Sequence, residues 1–341
     1  MSSPKIDASQ LVAGAPAGES REWNWHPSLP IDTSPVFKAP PRPFASIRWY
    51  RDAWLPVSEL VVYVLIATGV FYLLQPPLSE TASLEAGWVA QVWLRNIVMM
   101  TLFAAGLHLW LYTWKKQGDA LRYDRRGVTT KARVFAFGSQ LWDNVAYSLV
   151  SGVTIWTIYE CALWWGYANS VLPMATLAEN PIWFVLWFPL IGVWYSFHFY
   201  WAHRFLHWAP IYRKVHSVHH RNIAVGPWSG FSMHPVEHVL YLSSLLIHLV
   251  IPSHPIHMLF HCYWLTLATA TSHSGYDALI LGKTARLDMG TFFHQLHHRY
   301  FECNYGTAEM PWDRWFGSFH DGTADGLKTV RARKKVTTLK K

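Results

Sequence analysis

The chain has 341 residues, of which 51% are hydrophobic and only 15% charged, with 21 tryptophans and a formal net charge of +8. Charge this sparse, against about 25% in soluble domains, together with an aromatic load suited to the membrane–water boundary, points to a membrane protein and away from an ordinary soluble domain. The cations occupy flanks and a tail with no zinc-finger, RNP or helix-turn-helix pattern, which argues against nucleic acid, and three spread cysteines, Cys161, Cys262 and Cys303, offer no basis for a disulfide framework.

Residues 1–54 are rich in Pro, Ser and Ala and lack the positive-then-apolar layout of a signal peptide, so they read as a flexible cytoplasmic arm. Residues 55–144 hold apolar runs at 60–74 and 97–114, then a basic segment with Lys115, Lys116, Arg122, Arg125, Arg126, Lys131 and Arg133. Further runs lie at 145–165 and 182–201. Each run is about long enough, given tilt, to cross a hydrocarbon core of ~30 Å. The linkers 75–87 and 168–181 contain no Lys or Arg, so the positive-inside rule places the basic segment and both termini in the cytoplasm. Arg95 and Glu160 fall in or beside apolar runs, where a charge is costly unless paired or wet. Glu160 reads either as part of a buried structural bond or as a group in a substrate cavity.

The fourth run ends near Trp201, and His203 and His207 follow it on the same helix, which brings them out on the cytoplasmic side. An apolar hairpin at 239–271, with Pro252 and Pro255 at its turn, either crosses the bilayer or dips into it. Residues 321–341 form a basic cytoplasmic tail that includes Arg331, Arg333, Lys334, Lys335, Lys340 and Lys341. The expected fold is an all-α, multi-pass integral membrane protein, with about four transmembrane helices under a cytoplasmic helical cap.

That cap is where the histidines gather. Of 19, eleven fall in five places: His203 and His207, His216-Ser217-Val218-His219-His220, His234 and His238, His273, and His294-Gln295-Leu296-His297-His298. On a helix, positions i, i+3 and i+4 lie within an arc of about 100°. Each H-x-x-H-H block is therefore expected to aim three imidazoles at one point, and two such tripods predict two metals. Ten or eleven histidines exceed what one ion takes. The absence of H-E-x-x-H removes a simple zinc protease, and E-x-x-H, which carboxylate di-iron bundles use, is missing from the block region. Imidazole suits Zn, Cu, Fe and Ni alike. Ligating imidazoles pass their second N–H to a carboxylate or carbonyl, for which Glu237, Asp277, Asp288, Glu302 and Asp313 are candidates. A metal transporter is the rival reading. Transport sites lie near the midplane on broken helices, whereas these blocks start where a span ends and continue in a polar segment.

In order, the motifs His203-x-x-x-His207, His216-x-x-His219-His220, His234-Pro235-x-Glu237, His273-Ser274-Gly275-Tyr276-Asp277 and His294-x-x-His297-His298 resemble the fatty acid hydroxylase/sterol desaturase superfamily. The likeness covers about residues 145–320 and continues in Cys303-Asn304-Tyr305-Gly306 and Pro311-Trp312-Asp313-Arg314-Trp315-Phe316-Gly317. It implies a catalytic domain over 145–320 and a membrane-bound non-haem di-iron oxygenase that uses O2 and two electrons to hydroxylate a C–H bond of a lipid or sterol. Sterol C-5 desaturation or C-4 methyl oxidation is the alternative. The resemblance also implies two Fe ions held by His203, His207, His216, His219, His220, His273, His294, His297 and His298, with His234 as the tenth ligand. His238, Glu237, Asp277, Glu302 and Asp313 then serve as further ligands or as supports. No H-P-G-G, no G-x-G-x-x-G after a strand and no iron–sulfur cysteine set is present. A separate electron donor (ferredoxin, cytochrome b5 or reductase) is therefore expected, docking on the basic segment or tail, where anionic lipid competes. The membrane is the bacterial inner membrane or the endoplasmic reticulum.

Overall fold

A computed structural model of the chain describes residues 23–31, 34, 35, 40, 42–54, 59–129, 132–282 and 285–339. Most of the N-terminal arm, Lys131, Lys340 and Lys341 lie outside the described residues. The protein is mostly helical. The long elements are α1 (Pro43–Trp54), α2 (Glu59–Leu73), α3 (Ala86–His108), α4 (Gln140–Ala146), α5 (Val153–Ala168) and α6 (Pro181–Leu206). Shorter ones follow: α7 (Ser217–His220), α8 (Pro235–Leu242), α9 (Pro255–Thr266), α10 (Ala268–Ser272), α11 (Phe292–Tyr300), α12 (Trp312–Trp315) and then α13 (Ala324–Leu339). One departure from the all-helical expectation is an antiparallel hairpin, β1 (Ala278–Leu281) against β2 (Ala285–Asp288), in register Leu279↔Leu287. Gly282, at φ 68°, supplies the left-handed residue that such a turn needs.

Local sequence explains the helix starts. α6, α8 and α9 each begin at a proline, which is pre-set for the first helical position and gives up an N–H that would be unpaired there. The preceding His234 and His254 cap α8 and α9 through Nδ1, accepting from Val236 and Ile256 at 3.2 Å each. Among the described residues, two helices are long and apolar enough to cross a bilayer, Ala86–Thr113 and Pro181–Leu206, and Leu60–Leu73 is a shorter apolar helix. The first begins well before the apolar run at 97, because Arg95 and Asn96 interrupt the hydropathy without interrupting the helix; both are buried.

Contacts fix which helix ends lie together. At the end that carries the histidine blocks, Tyr63 of α2 meets Thr271 at 3.5 Å, Tyr112 donates to the Ser274 carbonyl at 2.8 Å, and Ser151 reaches His238 at 3.1 Å. At the opposite end, Asn169 donates to the Ala82 carbonyl at 3.0 Å and Trp183 to the Pro252 carbonyl at 2.7 Å. So α2, α3, the α4–α5 rod and α6 alternate in direction. The hairpin at 239–271 runs to the far end of the bundle: α8 and the tight turn Ser243–Leu249 lead away from the histidines, Ser253 meets the Pro173 carbonyl at 3.2 Å, and α9 returns.

The α4–α5 rod is continuous through a wide turn at Tyr147–Gly152. Such i→i+5 turns concentrate at functional sites, and this one lets Ser148 donate to the Trp228 carbonyl at 3.2 Å and brings Gly152 against the loop before α8. A Cβ at Gly152 would stand 2.6 Å from the Phe231 ring and 2.9 Å from His238 Nε2. Deeper in the bundle, Arg95 pairs with the fully buried Glu160, whose other oxygen accepts from Asn96 at 3.0 Å. Glu160 thus belongs to a structural bond between α3 and α5, away from the histidine cavity.

Candidate metal centre

Nine of the ten histidines named as ligands from sequence come together as two adjacent groups. His203, His207, His216, His220 and His297 form one; His219, His273, His294 and His298 form the other, and within each the nitrogens lie within 4.8 Å of one another. The division cuts across the sequence blocks. Each H-x-x-H-H block was expected to serve one metal, but its i and i+4 histidines go to one group and its i+3 histidine to the other. His216 and His220 pair with His297, while His294 and His298 pair with His219. Consecutive residues on a helix point about 100° apart, so His219 and His220, or His297 and His298, diverge into different sites. The lone His273, at the end of α10, completes the second group.

Contacts inside the groups match shared ligation. His220 and His297 Nε2 are 3.0 Å apart, His207 and His220 Nε2 3.2 Å, and His273 Nε2 is 3.0 Å from both His294 and His298. Two nitrogens bound to one ion at ~2.1 Å and at right angles stand ~3.0 Å apart. The groups touch each other, with the His220 and His298 rings 5.0 Å apart.

In five of the nine histidines the second ring nitrogen is tied down. His203 Nδ1 donates to the Tyr305 carbonyl at 2.7 Å and His297 Nδ1 to the Cys303 carbonyl at 2.6 Å. His273 Nδ1 donates to Thr269 O at 3.1 Å and His219 Nδ1 to Ser232 O at 3.3 Å. His216 Nδ1 bonds Glu237 Oε1 at 2.7 Å. A proton held on Nδ1 leaves the Nε2 lone pair for a metal, and His216 Nε2 is buried without any partner. That orphaned acceptor, inside a set of neutral imidazole donors, fits a metal ion of the Zn, Cu, Fe or Ni kind.

Burial sets the protonation. It holds His219 down at about 4. It drives His216, His220, His294, His297 and His298 well below the ordinary imidazole value, with neighbouring histidines adding to the effect. It also pushes the Glu237 carboxyl well above the carboxylate range. The cluster is thereby kept neutral in the absence of a cation, and a bound cation acts in the opposite sense on Glu237.

The remaining candidates separate cleanly. His234 stays outside both groups, half-buried, with Nδ1 spent as the α8 cap. His238 uses both ring nitrogens on Ser151 and on the Phe231 carbonyl, each at 3.1 Å. Asp277 accepts from the Tyr123 hydroxyl at 2.7 Å, Glu302 from the Tyr305 hydroxyl at 3.0 Å, and Asp288 is exposed on β2. Asp313 holds the loop whose carbonyl orients His203, accepting from Tyr305 N at 2.8 Å and Gly306 N at 2.7 Å. Sequence reasoning missed the backbone itself. The run Cys303-Asn304-Tyr305-Gly306 provides two of the carbonyls that aim histidines, and both Phe301 (φ 67°) and Asn304 (φ 52°) adopt left-handed backbone to do so. For phenylalanine that conformation costs of order 1–3 kcal/mol. Asn304 is locked by bonds to the carbonyls of Phe293 and His320, 3.1 and 3.0 Å.

A cavity of about 180 Å³ reaches both groups. His203, His216, His219, His273 and His294 line it, together with Glu237 and the aromatic side chains of Tyr195, Phe199, Tyr241 and Trp264. Histidines that share a wall with this much aromatic surface can face a largely apolar molecule held next to the metal positions.

Residues 188–318 match the fatty acid hydroxylase family. The C-4 methylsterol oxidase of Schizosaccharomyces pombe is 29% identical over 277 residues, covering 73% of this chain and 88% of that relative. The delta(7)-sterol 5(6)-desaturase of Saccharomyces cerevisiae is 36% identical over 121 residues, 35% of this chain and 32% of the relative. One of the two from Aspergillus fumigatus is 33% identical over 157 residues, 45% of each chain. The chain thus spans most of the first relative and less than half of the two desaturases. No solved structure matches. The matched region contains every histidine of both groups, and over that region the chain is similar to the fatty acid hydroxylase family and to sterol oxidases and desaturases.

Proposed function

We propose that this chain is a membrane-bound non-haem di-iron oxygenase that uses O2 and two electrons to oxidise a C–H bond of a sterol or related lipid. The observation that carries this reading is the pair of adjacent all-histidine groups lining one aromatic-walled cavity. His203, His207, His216, His220 and His297 would hold one ion, and His219, His273, His294 and His298 the other. Iron bound there would supply the O2 chemistry that no side chain has. The chain's own part is to keep the buried imidazoles neutral and to aim five of them, through the carbonyls of Cys303, Tyr305, Thr269 and Ser232 and through Glu237. The aromatic walls exclude water and hold the substrate carbon against the metal side. Among sterol reactions, oxidation of a methyl group is favoured by the long match to the methylsterol oxidase; C-5 desaturation is the alternative.

The alternating helix directions, with the basic segment and the histidines at the same end, support four spans with both termini and the active site in the cytoplasm, residues 145–320 being the catalytic domain. Electrons would come from a separate ferredoxin, cytochrome b5 or reductase. Metal transport fits less well, because eight of the nine nitrogens' rings sit in a cavity wall or core at one end of the bundle and five are fixed by hydrogen bonds.

The test is metal analysis of detergent-purified protein and of a His297→Ala/His298→Ala variant, with lipidomics of cells expressing each. About two irons per chain are expected, lost in the variant together with a sterol changed by one oxygen or by two hydrogens. Bound zinc with no lipid product, or metal flux into vesicles, would overturn the reading.

A further inference from the structure

Outside the histidine cavity, α1 carries an exposed face that the mechanism does not use. Phe44, Ile47, Arg48 and Arg51 occupy positions i, i+3, i+4 and i+7 and so share one stripe. Phe44 is 86% and Ile47 66% exposed, and Arg42, Arg48 and Arg51 are exposed with them. Flanking that stripe, the helix is anchored to the catalytic region: the Tyr50 hydroxyl donates to the Glu309 carbonyl at 3.2 Å, and Glu309, Ala308 and Thr307 line the cavity. Position along the chain decides what covers the exposed stripe. The linker from Trp54 to Glu59 reaches at most about 18 Å, and beyond it α2 is the apolar helix Leu60–Leu73, whose Tyr63 lies at the histidine end. α1 therefore sits where the bundle meets the bilayer surface. Two large apolar side chains flanked by arginines match that surface, with rings and branched chains among acyl tails and guanidinium groups at phosphates.

We propose that α1 is an interfacial helix that binds anionic phospholipid headgroups and, through Tyr50, holds the rim of the substrate cavity at the membrane surface, where a lipid-soluble substrate enters. This rests on the reading of the cavity as a lipid site. It adds the lipid class that governs access to it.

The experiment uses the full chain carrying an environment-sensitive fluorophore at Phe44→Cys, since Cys161, Cys262 and Cys303 are all buried. It is reconstituted into phosphatidylcholine vesicles with and without phosphatidylglycerol. The expected result is a blue-shifted emission quenched by spin-labelled lipid, stronger with phosphatidylglycerol and weakened by Arg42→Glu/Arg48→Glu. Phe44→Asp/Ile47→Asp should raise KM for a vesicle-borne sterol several-fold, with kcat and bound metal unchanged. A water-like emission in an enzyme that still turns over would overturn the inference while leaving the oxygenase reading intact. A shielded label that ignores lipid and cross-links to a second protein would overturn it in favour of a protein partner. Loss of bound metal and product from the unlabelled protein would instead sink the oxygenase reading, and the inference with it.

Discussion

His216 shows how much a single side chain carries here. Its Nδ1 bonds Glu237 at 2.7 Å while its Nε2 is buried without a partner, so one carboxylate fixes which nitrogen faces the metal. Glu237→Gln keeps an acceptor but loses the charge, and Glu237→Leu leaves the Nδ1 proton unpaired. Outer partners of this kind are worth about 10–100-fold in metal affinity. The glutamine variant should sit near the lower end and the leucine variant near the upper, as read by competition with a chelator. Equal affinity in both variants and wild type would remove Glu237 from the centre. The same imidazoles set a pH dependence. Below about pH 6.5 an unfolded chain takes up protons that the buried ones refuse, so the unfolded state binds more protons and stability rises with pH in that window. The metal-free protein should melt at steadily lower temperatures as the pH falls from 6.5 toward about 4, where His219 itself titrates, the many histidines outweighing the single Glu237 carboxyl, whose raised value acts in the opposite sense. Thermal melts across that range check this; a melting point that rose on acidification would mean the histidines are charged in the fold.

At the level of elements, the 3.6-residue period made the ligand blocks readable in the sequence but not their partition. Spacing places His294, His297 and His298 on one arc. Only the facing helix decides that His297 turns to the His203 side and its two neighbours to His273. The supporting carbonyls were unreadable for a different reason. They are backbone groups, and their position depends on Asn304, Asp313 and the left-handed turn at Phe301 rather than on any ligand type. The sequence context of His234, just before a proline, also suits a helix cap, and its Nδ1 serves as one. Close packing makes one element test available. A Cβ at Gly230 would meet the Thr269 carbonyl oxygen at 2.0 Å and His273 Nδ1 at 2.8 Å. Gly230→Ala should therefore cost about 1–3 kcal/mol and lower metal occupancy in the group that contains His273 first, measured by melting and by metal content on a single preparation. Full occupancy with unchanged stability would show that α10 has slack.

Across the whole molecule, the apolar runs announced the bundle, but the long buried hairpin of α8 and α9 could not be placed from hydropathy because apolar residues bury equally well against lipid or protein. The Arg95–Glu160 pair was likewise legible as a cost without a partner until α3 and α5 were set side by side. Breaking a buried pair by removing one member costs about 3–5 kcal/mol, whereas replacing both with apolar groups can be neutral. Glu160→Leu should therefore destabilise the protein strongly and Arg95→Met/Glu160→Leu should recover most of the loss, with metal content per folded chain unchanged in both; iron loss in the double variant would tie the pair to the active site after all. The crossed allocation of the histidines has one more consequence, for how such a chain can be cut and recombined. The first group runs from His203 to His297 and the second from His219 to His298, so no contiguous stretch contains one group without part of the other. A truncation or a segment swap within this region cannot isolate a one-metal module: the centre is inherited as a pair or not at all.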